Sequence, residues 1–72
     1  MQRAKALQVF DQELKDVISE IKKEEYRREM EAARGSVALD AIGDRVRADC
    51  QLTADDRFQL VSEIECAMAL EA

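Results

Sequence analysis

Residues 7–21 read Leu7-Gln8-Val9-Phe10-Asp11-Gln12-Glu13-Leu14-Lys15-Asp16-Val17-Ile18-Ser19-Glu20-Ile21. Within this stretch Leu7, Phe10, Leu14, Val17 and Ile21 follow one another at spacings of 3, 4, 3 and 4. That is the a/d spacing of a heptad, and it predicts a helix with an apolar seam along one side. Val9 and Ile18 widen the seam toward the face of an ordinary packed helix. The seam lasts about two heptads, short of the three or four that define an extended coiled coil.

Outward from this stretch, nothing between Gln2 and Ala33 breaks a helix. The first helix is therefore predicted over about 2–33, with a length of about 48 Å at ~1.5 Å per residue. Beyond Ile21 the next seam positions are Glu24 and Arg28. The apolar residues there, Tyr26, Met30 and Ala33, keep helical spacing but are displaced around the helix, as in a stutter. Glu24 with Arg28, and Arg27 with Glu31, stand at i, i+4. Such pairs add ~0.2–0.5 kcal/mol each, and the mixed charge reads as a solvated helix surface.

Arg34-Gly35-Ser36 is the clearest break. Gly35 suits the left-handed position after a helix end, and Ser36 is placed to cap a second helix over about 37–50. Leu39, Ile42 and Val46 share one face of that helix. Gly43 weakens it by about 1 kcal/mol relative to alanine, unless it permits a close helix crossing. Gln51-Leu52-Thr53 makes the second break, without glycine. Thr53 is a good N-cap, and Asp55 and Asp56 fall in the first turn, where the helix dipole favours negative charge. The third helix is predicted over about 54–70, with a stripe of Leu60, Val61, Ile64, Ala67 and Met68, and Phe58 near its start. The fold expected is all-α, one domain over 1–72, a helical bundle completed by dimerisation.

Composition agrees. The chain has 72 residues, no proline, two glycines, 47% hydrophobic and 38% charged residues. That is too apolar for disorder and too short to bury a large core alone, so small chains of this kind add staples or partners. The charge of −5 is unevenly placed: residues 1–36 hold eight basic and eight acidic side chains, and residues 37–72 hold three and eight. Such a field does not draw the chain to a phosphate backbone, and basic partners, or none, fit better. No run approaches a membrane span, and Asp11 and Glu13 interrupt the apolar stretch that a signal peptide needs, so a cytoplasmic location is expected.

The chemistry-bearing residues are sparse. There is no histidine, and Ser19, Ser36 and Ser62 have no evident activating partner. Cys50 and Cys66 are not arranged as C-x-x-C, and they are too far apart for an internal bridge if the last two helices form a hairpin. They read as two small buried or half-buried thiols. Asp55 and Asp56 read as capping residues rather than cation ligands. The last two helices resemble a helix-turn-helix in outline, but Asp55 and Asp56 stand where that motif meets phosphates, so nucleic acid is not an expected partner. No catalytic, cofactor-binding or metal-binding residue is assigned, and the chain is not expected to be an enzyme. The function expected is a protein–protein interaction module. It would self-associate, as a dimer, through Leu7, Phe10, Leu14, Val17, Ile18 and Ile21, and present a helical face to a second protein. The alternative is a small regulator of the antitoxin or phage/plasmid modulator type, acting on a basic or nucleic-acid-binding protein.

Overall fold

A computed structural model of the chain describes the backbone of residues 2–71 and the side chains of residues 12–70. Three helices follow in order, α1 (Gln2–Ala32), α2 (Ser36–Ala48) and α3 (Ala54–Glu71), and there is no strand among the described residues. α2 and α3 pack against each other and against the C-terminal half of α1. α1 and α2 run antiparallel, because Arg45 meets Glu29 while Asp49 meets Tyr26. α3 runs parallel to α1, because Asp56 meets Ser19 while Glu63 meets Arg27.

The core is small. Tyr26 of α1, Leu39, Ile42 and Val46 of α2, Leu52 of the connecting loop, and Leu60 and Ile64 of α3 are buried together. Met30, Ala33, Val61, Ala67 and Met68 pack around them. Burying a leucine or isoleucine fully contributes about 1.5–3 kcal/mol. Most of that apolar burial therefore belongs to the α2–α3 hairpin, and Tyr26 is the one fully buried apolar side chain that α1 contributes among the described residues.

The helix ends differ in detail from expectation. α1 stops at Ala32, where the Ala33 N–H closes back onto the Met30 carbonyl at 3.2 Å. Ser36 is not the cap of α2 but its first residue. Gly35 holds the cap position at φ 87°, ψ 162°, and no side chain caps the helix. That region is open essentially to glycine alone, which makes Gly35 necessary for a sharper reason than a left-handed helix end. α2 stops at Ala48 because Asp49 turns extended at φ −82°, ψ 106°.

The second loop manages without glycine through side-chain bonding. The Gln51 N–H donates to Asp49 Oδ1 at 2.9 Å, closing an Asx-type turn. The Arg57 guanidinium reaches back from α3 and donates to the carbonyls of Asp49 (2.9 Å) and Leu52 (3.3 Å). It thereby satisfies acceptors that the end of α2 leaves over. Thr53 caps α3 as expected, its Oγ1 accepting from the Asp56 N–H at 3.2 Å. Phe58 does not join the α3 stripe. It stands 74% exposed on the outer side of the helix, because Leu60 and Ile64 set the inward direction.

Candidate functional site

α1 carries two faces of opposite character. One holds Ser19, Lys23, Tyr26 and Met30, and the α2–α3 hairpin docks on it. The other holds Leu14, Val17 and Ile21, which remain 46%, 54% and 55% exposed. At ~100° per residue the two faces lie on roughly opposite sides of the helix. The break in phase after Ile21 now has a cause: Tyr26, Met30 and Ala33 are displaced around the helix because they pack against the hairpin rather than continuing the seam.

Beside the apolar contacts of Tyr26, Met30 and Ala33, the docking face carries polar ones. Ser19 is completely buried. Its hydroxyl donates to Asp56 Oδ2 at 2.6 Å and accepts the Thr53 N–H at 2.9 Å. The N-cap N–H that a capping box satisfies from within one helix is here satisfied from another. Lys23 donates to the second oxygen of Asp56 at 3.1 Å and stands 3.4 Å from Glu20. The Ser19 hydrogen bond holds the Asp56 carboxyl below its ordinary range; burial opposes this, and Lys23 supports it. The same bond to Asp56 raises the Lys23 ammonium above its usual value against the effect of burial.

A second cluster lies further along. The Tyr26 hydroxyl donates to Asp49 Oδ2 at 2.7 Å, and Lys22 stands 3.6 Å from the same oxygen. Lys22 and Arg45 each lie 5.5 Å from the Tyr26 ring centroid, within cation–π range. Burial, reinforced by the bond to Asp49, pushes the Tyr26 phenol up to about 12. Burial also works against ionised Asp49, but the bonds from Tyr26 and Gln51 and the charge of Lys22 outweigh it and hold this carboxyl low. Arg27–Glu63 at 3.3 Å and Arg45–Glu29 at 2.6 Å complete the attachment at more exposed positions. Arg27 also pairs with Glu24 within α1 at 3.2 Å, but through Glu63 part of the charged run binds the hairpin instead of standing free in solvent.

Of the residues expected to carry association, Leu14, Val17 and Ile21 share the open face, and Ile18 is half-buried at its edge, beside a cleft formed with Cys50 and Leu52. The side chains of Leu7 and Phe10 lie outside the described residues, although α1 passes through both positions. Reading the sequence did not identify Ser19, Lys23 and Asp49 as docking residues. The available signal was a serine and a lysine four residues apart, continuing to Tyr26 and Met30 on one helix side.

Cys50 and Cys66 are free thiols and both are exposed, which corrects the expectation of buried or half-buried positions. Among the described residues no three His, Cys, Asp or Glu side chains are arranged to hold a metal ion. No helix there is long and apolar enough to cross a membrane. No protein-family model, curated protein or solved structure matches the chain.

Proposed function

We propose that the chain is a non-catalytic interaction module that associates with itself through α1. The observation that supports this reading is the open apolar face. Leu14, Val17 and Ile21 sit at helical spacing, half exposed, on the side of α1 turned away from the hairpin. A contiguous apolar stripe of this kind marks an interaction surface more often than scattered exposed residues do. The N-terminal part of α1 adds weight. Every described side chain from Gln12 to Val17 is exposed, so this stretch gains little from the hairpin. An isolated helix of about 15 residues is marginal in water, and a partner helix along the stripe would stabilise it. The outer side of the hairpin, with Phe58 exposed, is then the face offered to a second protein.

The test is molar mass by light scattering over a dilution series, with and without reductant. A dimer unaffected by reductant is expected. Leu14→Asp is expected to abolish it while leaving the fold intact, since Leu14 contributes little to the hairpin side. An unchanged mass in that variant would refute association through this face.

A further inference from the structure

We propose that α1 is fastened to the start of α3 by an acid-released clasp: protonation of Asp56 frees the middle of α1, around Ser19 and Lys23, while the C-terminal part of α1 stays packed on the hairpin.

The attachment of α1 is divided along its length. Its apolar contacts with the hairpin core come from Tyr26 and Met30, near its C-terminal end. Nearer the N-terminus, Ile18 is only half-buried, at the edge of the cleft with Leu52. There the fastening is polar. Ser19 and Lys23, one turn apart, both reach Asp56, the hydroxyl donating to Oδ2 at 2.6 Å and the ammonium to Oδ1 at 3.1 Å. A single carboxylate thus takes both bonds.

Both of its oxygens act as acceptors, so a proton on either one disturbs a donor. On Oδ1 the proton meets the Lys23 ammonium, which has no acceptor capacity. On Oδ2 it makes Ser19 the acceptor of two bonds, because Ser19 already takes the Thr53 N–H at 2.9 Å. The serine hydrogen is then left with Thr53 Oγ1 at 3.5 Å. In either case buried Lys23 keeps its charge and loses the negative partner beside it. Glu20, 3.4 Å from Lys23, is largely exposed and is a weaker counter-charge. The other carboxylates lining the hollow at Asp56 are those of Asp16 and Glu20 from α1 and Asp55 from α3, so the positive charge at this carboxylate is that of Lys23.

The second fastening lacks this sensitivity. Tyr26 donates to Asp49 as a neutral group, and its ring is buried in the core. A neutral Asp49 still accepts from Tyr26 through its carbonyl oxygen. Lys22, at the same carboxylate, is part-exposed and also stands 3.9 Å from Glu25, while Arg45 is paired with Glu29. Protonating Asp49 therefore strands no buried charge.

The clasp is complete above the ordinary aspartate value of ~3.9, and it opens as pH falls through the lower value that Asp56 has in the folded chain. Opening uncovers Ser19, Lys23 and the wall of the cleft formed by Ile18 and Leu52.

The test follows nuclear Overhauser contacts in the full chain, stepwise from about pH 6 to about pH 2 at constant ionic strength. One set joins Ser19 to Thr53, and the other joins the Tyr26 ring to the buried methyl groups of the hairpin. The expected result is loss of the first set at a pH where the second persists. Lys23→Met removes the charge that protonation strands, and it is expected to carry the Ser19–Thr53 contacts further into acid than the parent. Persistence of both sets to about pH 2 in the parent overturns the clasp. Loss of both sets in one step also overturns it, because acid then unfolds the molecule as a whole. Loss of the Ser19–Thr53 contacts at the same pH in Lys23→Met as in the parent overturns the part assigned to the stranded ammonium.

Discussion

Ser19→Ala tests the account of how α1 is attached. The substitution removes one oxygen from a completely buried site. That oxygen donates to a carboxylate at 2.6 Å and accepts a backbone N–H at 2.9 Å. Leaving a buried donor without a partner costs about 1–3 kcal/mol, and a hydrogen bond to a charged acceptor is worth about 1.5–3 kcal/mol. Asp56 keeps its bond from Lys23, so the combined loss should be about 2–4 kcal/mol. At ~0.05–0.15 kcal/mol per residue, a chain of this length holds about 4–11 kcal/mol in total. The variant should therefore lose a large fraction of its stability. The assay is urea unfolding followed by far-ultraviolet circular dichroism at fixed chain concentration, where the midpoint should fall and the slope stay constant. A loss below ~0.5 kcal/mol, the range of an inconsequential surface change, would refute the reasoning. The Asp56 carboxyl should also titrate closer to its ordinary value in the variant, because the Ser19 bond is the main influence lowering it. The contribution of that depressed carboxyl is present above its unfolded-state value near ~4 and fades as pH falls through its lower folded value. The stability gap between the two proteins should narrow in the same acid range.

The remaining predictions concern the alkaline limit and the two glycines. Tyr26 is the only tyrosine and there is no tryptophan, so an ultraviolet absorbance titration reads this one group. Its folded value is raised to about 12, so its contribution is complete below the unfolded value of ~10 and is lost as pH rises through about 12; ionisation near 10 with the helices intact would refute its burial. Gly43→Ala should raise stability by about 0.5–1 kcal/mol, measured by urea unfolding. An added Cβ would lie 3.6 Å from Ile64 and 3.3 Å from the guanidinium of exposed Arg47, which can move aside. Gly35→Ala should cost about 1–3 kcal/mol in the same assay. No atom lies within 4 Å of an added Cβ there, so the loss would be one of backbone conformation alone.

Much of the hairpin was readable from local pattern. Leu39, Ile42 and Val46 repeat at helical spacing and are buried, and Thr53 caps α3 through the Asp56 N–H. The docking of α1 was harder to read because buried polar residues share in it with Tyr26 and Met30. Period-based reading ranks apolar residues, so it selected the seam and passed over Ser19 and Lys23, whose partners lie more than thirty positions away. Phe58 misled in the other direction: its size suggests the core, while the positions of Leu60 and Ile64 turn it outward. Cys50 is exposed because α2 ends at Ala48 and leaves it in the connecting turn, and Cys66 because it stands on the side of α3 away from Leu60 and Ile64.

The Ser19–Asp56–Lys23 cluster also has a mechanical consequence. It grips α1 near the middle, and about 17 residues of helix extend from there toward the N-terminus, a lever of about 25 Å. A tilt of about 10° at the grip would carry the end of that lever by about 4 Å, close to one helical turn. A substitution at Asp56 or Lys23 that leaves the protein folded could therefore change where the apolar stripe points, and alter partner geometry from a position that touches no partner.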